Sequence, residues 1–121
     1  MGRPMALVFM LLSFAASALA APQLKATMRA WKADAQSAER MLADGKIDEA
    51  EWRRILAAYA KDAGDLAAGL GSATPERRDM SARFAKFSAN AQDIVSAKAE
   101  RKAGFAGLRG QCRTCHDAYA N

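Results

Sequence analysis

The stretch DEAEWRRILAAYAKDAGDLAAGL, residues 48–70, decides the fold. Asp48 carries the short acceptor side chain that helix N-caps prefer, and Glu51 stands three residues on as its capping-box partner. Trp52, Ile55 or Leu56, Tyr59, Ala63, Leu66 and Leu70 then recur at spacings of three and four, which puts them on one stripe of an α-helix. Gly69, Gly71 and Ser72 break the pattern. A helix with a single apolar stripe has to bury it against other elements.

The same spacing continues on both sides. Upstream, Leu24, Met28, Trp31, Ala35, Ala38 and Leu42 form a stripe that Asp44-Gly45-Lys46 ends, with Gly45 suited to a left-handed cap. Downstream, Thr74 is an N-cap and Pro75 takes the first helical position, where its missing N–H costs nothing. Glu76 adds a favourable charge in that first turn. Met80, Phe84, Phe87, Ala91, Ile94 and Ala97 make the third stripe. Phe105, Leu108, Cys112, Cys115 and Tyr119 make a fourth, although Gly104, Gly107 and Gly110 each weaken a helix by about 1 kcal/mol relative to alanine. Those glycines are read as room for a large ligand. The boundary between the third and fourth segments, from Val95 to Gly104, is poorly marked. Four amphipathic helices with short connections predict an all-α, antiparallel up-down-up-down four-helix bundle. That order brings Met28, Met80 and His116 to one end, whereas Met41 lies about 20 Å farther along its helix than Met28.

The 121 residues suffice for one domain, and 51% of them are apolar, with alanine by far the commonest. The first twenty differ in kind. Arg3 gives a positive start, Met5 to Leu12 is wholly apolar, and Ala18-Leu19-Ala20 matches a small-x-small cleavage site. Residues 1–20 are therefore expected to be a secretory signal peptide cut after Ala20, leaving residues 21–121 as the domain. The apolar run is short of the roughly 20 residues that a spanning helix needs, so no stable membrane insertion is expected after cleavage. The formal charge of +5 is mixed along the chain with no basic block, which argues against a nucleic-acid partner.

Export makes the two cysteines informative. Cys112-Arg113-Thr114-Cys115-His116 is C-x-x-C-H, the attachment pattern of a c-type haem. Two thiols three residues apart lie on nearby positions of one helical turn and can add to the two vinyl groups along one haem edge. His116 is then carried under the ring, where its imidazole can bond the iron. Three competitors use the same residues. A thioredoxin-like redox pair needs a βαβ context, and no strands are read. A zinc site needs carboxylates, since the chain has no further Cys or His. A structural disulfide suits an oxidising compartment.

The motif's place at the end of the chain, on the last of four helices, resembles the class II cytochromes c, which comprise the cytochromes c-prime and their low-spin relatives. Phe105 to Tyr119 is similar to that family's final helix almost throughout; elsewhere the likeness is one of pattern. The resemblance implies a four-helix bundle holding one covalent haem c per chain, with Cys112 and Cys115 as attachment points and His116 as the proximal iron ligand. The low-spin relatives supply a distal Met from early in helix 1, a place Met28 matches, with Met80 the other candidate. The implied function is one-electron transfer in the periplasm between redox partner proteins. No substrate bond is made or broken, so no enzyme is expected. The alternatives are a five-coordinate cytochrome c-prime that binds nitric oxide or carbon monoxide, and a redox-inert haem module. Trp31, Phe84 and Phe87 are candidates for the pocket wall, Phe84 foremost. Lys98, Arg101, Lys102, Arg109 and Arg113 make the last segment basic: a solvated face, a surface for an acidic partner, or a source of one propionate counter-charge, with Lys25 a further candidate for that charge. A homodimer through the first two helices is compatible with the family pattern.

Overall fold

The computed structural model describes the backbone of residues 3–119 and the side chains of residues 23–119. The expected leader, residues 1–20, lies outside the described side chains. Four α-helices follow one another: α1 (Arg3–Asp44), α2 (Glu49–Leu70), α3 (Pro75–Val95) and α4 (Arg101–Tyr119). No strand occurs among the described residues, so the thioredoxin-like context is absent there. Among those residues, too, no helix is long and apolar enough to cross a membrane.

The caps follow the expected chemistry. Glu51 N–H donates to the Asp48 carboxylate over 3.1 Å, and Arg77 N–H donates to the Thr74 hydroxyl oxygen over 3.1 Å. Only half of the capping box forms, because the Glu51 carboxylate turns outward to Arg54. Gly45 has φ +66°, the left-handed geometry expected of it.

The third stripe ends one turn earlier than its spacing predicts. Ala97 stands outside the helix with φ +60° and is exposed. Lys98 N–H donates to Asp93 C=O over 2.8 Å and Ala97 N–H to Ile94 C=O over 3.1 Å. This is the double bond pattern of a Schellman cap, with alanine in the glycine position. Glu100 then caps α4 by accepting from Lys102 N–H at 3.0 Å and Ala103 N–H at 2.7 Å. Neither residue is of the type that ordinarily marks a helix end, which is why the boundary is not legible in the sequence.

The helices pack in sequence order, as in an up-down bundle. Ser81 donates to Ala67 C=O at 2.7 Å and Ser88 to Ala60 C=O at 2.6 Å, so α3 runs back along α2. Tyr119 at the end of α4 meets Asp79 near the start of α3. The core draws on all four helices: Trp31, Ala35 and Ala38; Trp52, Ile55, Leu56 and Tyr59; Phe84, Phe87 and Ile94; Phe105 and Leu108. Both Ile55 and Leu56 are fully buried, so the stripe of α2 uses both. Tyr119, read as a member of the fourth stripe, is 36% exposed.

The glycines of α4 correct a second expectation. A methyl group at Gly104 would sit 2.8 Å from Ile94 Cγ1, whereas nothing lies within 4 Å of one at Gly107 or Gly110. Gly104 thus admits α3, and the other two line shallow grooves on the α3 side. Gly104→Ala is expected to destabilise the chain by about 1–3 kcal/mol through overpacking. Gly107→Ala should instead stabilise it by about 1 kcal/mol through helix propensity. Urea unfolding followed by tryptophan fluorescence reads both signs; a stabilised Gly104→Ala variant would show that α4 does not depend on that close approach.

Candidate functional site

α1 packs on α2, α2 on α3 and α3 on α4, but α1 and α4 do not pack closely on each other. Between them lies a cavity of about 420 Å³ with an overwhelmingly apolar wall. That volume is within the range of about 300–1,000 Å³ typical of small-molecule sites. Met28, Trp31 and Ala35 line it from α1, Phe105, Leu108, Cys112 and His116 from α4, and Tyr59 and Phe87 close its floor.

The α1 wall is held by Trp31. Its indole stacks on Phe87 at 4.8 Å between ring centroids and 15° between planes, and meets Tyr59 edge-on at 5.3 Å. Its Nε1–H donates to Asp62 over 3.3 Å, and its backbone carbonyl accepts from the Tyr59 hydroxyl over 3.2 Å. Burial pushes the Tyr59 phenol well above its ordinary range.

The α4 wall is held at both ends. Arg101 at its start pairs with Glu49 of α2 at 2.9 Å and lies over the Trp52 ring. At its end, the Tyr119 hydroxyl donates to the Asp79 carboxylate, which also accepts from Arg83 at 2.8 Å. Arg83 lies over the Tyr119 ring at 5.8 Å. The Tyr119 and Arg83 hydrogen bonds hold the Asp79 carboxyl below its usual value. The same Asp79 bond raises the Tyr119 phenol.

The structure brings most of the expected site residues together. Cys112 and His116, four residues apart, share the α4 face of the cavity, and Met28 is on the α1 face. Cys115 is half-buried, does not line the cavity, and feels the charges of Arg83 and Asp79. Burial raises both cysteine thiols, opposed by Arg109 at Cys112 and by Arg83 at Cys115. Both cysteines are free, and no group of three or more potential metal-binding side chains gathers among the described residues. Met80 is half-buried against the core from α3 and does not line the cavity. Phe84 is likewise core, set behind Trp31 at 6.2 Å, while Trp31 and Phe87 take the wall.

Three features of the site are not anticipated by the sequence reading. Tyr59 reaches the floor from the stripe of α2. Asp79, Arg83 and Tyr119 form a clamp that needs the antiparallel pairing of α3 with α4. Arg29 and Lys32 join Lys25, the candidate counter-charge named above, on the cavity's α1 rim, and their spacing of four and three was a legible signal. No family model, no curated protein and no solved structure matches the chain.

The two tyrosines should therefore both resist ionisation at pH 10, the ordinary phenol value. Asp79→Asn removes the carboxylate that holds the Tyr119 proton and should return that phenol toward pH 10, leaving Tyr59 unmoved. Ultraviolet titration at the tyrosinate band reads the two groups separately. The carboxyl of Asp79 is depressed by folding, so its contribution to stability is present above the unfolded carboxyl value and fades as pH falls through the folded one. The melting difference between wild type and Asp79→Asn should accordingly shrink below pH 4; a constant difference would exclude the clamp.

Proposed function

We propose that this chain is an exported one-electron carrier of the class II cytochrome c type, with a single covalent haem c and low-spin iron. The observation that carries the reading is the pairing of Cys112 and His116 on one wall of an apolar cavity with Met28 on the other.

The donor set fits such a group. A thiol and an imidazole share the α4 face, a thioether is on the α1 face, and the wall between them is apolar. Cys112 and Cys115 would hold the macrocycle as thioethers, His116 would be the proximal ligand and Met28 the distal one. When bound, the haem supplies a one-electron couple between ferric and ferrous iron. A Met and His pair favours the reduced state and so raises the potential.

The remaining residues prepare the site. Trp31, Ala35, Phe87 and Leu108 exclude water, and so favour whichever oxidation state carries less charge. Trp31 is itself fixed by Tyr59, Phe87 and Asp62, which holds the turn of α1 carrying Met28 in place. Arg109, three residues before Cys112, lines the cavity and shares its charge with Glu39 of α1 at 2.8 Å; it would be available to an anionic group of the ligand. The proposed activity is electron transfer, in which no substrate bond is made or broken. The leader expected over residues 1–20 would deliver the chain to the periplasm, where attachment and exchange with redox partner proteins would take place.

The visible spectrum of the purified, exported protein tests the reading. A low-spin ferric spectrum with a methionine–iron charge-transfer band and no response to carbon monoxide is expected. A high-spin spectrum that shifts with the gas would favour gas binding instead. Met28→Ala should convert low-spin ferric haem to high-spin, and an unchanged spectrum would remove Met28 as ligand. Cys112→Ala with Cys115→Ala should abolish haem staining on a denaturing gel.

A further inference from the structure

We infer that Lys25, Arg29 and Lys32 of α1 form the docking ridge for the acidic face of a second redox protein, at the mouth of the cavity between α1 and α4. The inference rests on the electron-carrier reading above and assigns its partner surface to residues outside the basic last segment.

All three side chains are exposed and line the cavity. Their spacing of four and three puts them on one face of α1, in a ridge about 10 Å long. No acidic side chain lines the cavity with them. The acids next along the helix are engaged elsewhere, Asp34 with Arg54 and Glu39 with Arg109. Among the described residues none of the three has an ion-pair partner. Residues 1–22 contain no acid either. Like charges at these spacings weaken a helix, so nothing within the chain itself favours the cluster.

Place distinguishes these cations from others. Lys46 and Lys98 are also exposed, but they lie in the connections at the opposite end of the bundle. Arg101, from the basic last segment, is taken up by Glu49. The ridge borders the opening through which an electron would enter or leave. A cationic rim there attracts an anionic surface over a Debye length, speeds encounter and orients the partner toward the opening. A ridge of this length suits a protein face better than a single small anion.

The test uses the exported, haem-loaded protein, reduced and then mixed with an anionic oxidant, ferricyanide, or a cationic one, tris(phenanthroline)cobalt(III). About 0.1 M salt is chosen, where screening beyond about 10 Å hides charges at the far end of the bundle. Lys25→Glu, Arg29→Glu and Lys32→Glu together should slow oxidation by ferricyanide about 10-fold and speed oxidation by the cobalt complex by a comparable factor. Raising the salt should erase both differences. Lys46→Glu, Lys98→Glu and Lys102→Glu, the same charge change at the far end, should alter either rate less than about 3-fold. A shifted potential would move both oxidants' rates in one direction, so the opposite signs identify docking. Rates that move together, or an equal response to the far-end variant, would overturn the ridge and leave the carrier reading intact. A protein without a haem spectrum would overturn the carrier reading and the ridge with it.

Discussion

Trp31 reaches from α1 across the interior to lie against Phe87 of α3, with Tyr59 of α2 at its edge. This junction ties α1 to the second and third helices. Aromatic pairs of this kind contribute about 0.5–1.5 kcal/mol each beyond the area they bury. The indole N–H and the Trp31 carbonyl both find partners, so the side chain is fixed in direction as well as in depth. Because α1 is held from that side, it does not need α4 for its own burial, and the seam between the two can stay open. The cavity, the wall that carries Met28 and the cationic rim all follow from that one attachment.

α4 is positioned by different means. Its buried contribution is small, chiefly Phe105 and Leu108, and Gly104 lets it settle closely on Ile94. Its ends are then tied by exposed polar contacts, Arg101 to Glu49 at the start and Tyr119 to Asp79 at the finish. Exposed ion pairs contribute little to stability. Here their value is registry: they set how far α4 slides and turns, and so which face of C-x-x-C-H looks into the cavity. Cys112 and His116 do so, while Cys115 does not. Between these ends the pair Arg109–Glu39 spans the open seam.

Under the proposed function, such a site would take a rigid, largely apolar group with an anionic edge, held covalently from the α4 wall and coordinated from both walls. Stiff walls limit reorganisation when the charge on such a group changes. The same arrangement leaves an opening beside a cationic ridge, so that on the proposed reading the route for electrons and the surface that selects a partner would coincide.

Much of this was legible in the chain. Apolar spacing located four helices, and N-caps at Asp48 and Thr74 and the turn at Gly45 marked several of their ends, because these signals act within a few residues. The C-x-x-C-H motif and Met28 were legible for the same reason, as residue types at recognisable positions. The end of α3 was not, because Ala97 takes a conformation normally left to glycine and Glu100 caps in place of a shorter side chain; the surrounding structure imposes both. Nor could spacing separate Phe84 from Phe87, both on one stripe, since Trp31 of a distant segment decides which of them meets the cavity. The clamp of Asp79, Arg83 and Tyr119 joins residues 40 apart and exists only once α4 lies antiparallel to α3. Local periodicity, then, determined which residues form helices and which faces are apolar. Only tertiary packing decided which of those faces close on one another and which pair stands apart, because that choice is set by side chains meeting across helices rather than along them.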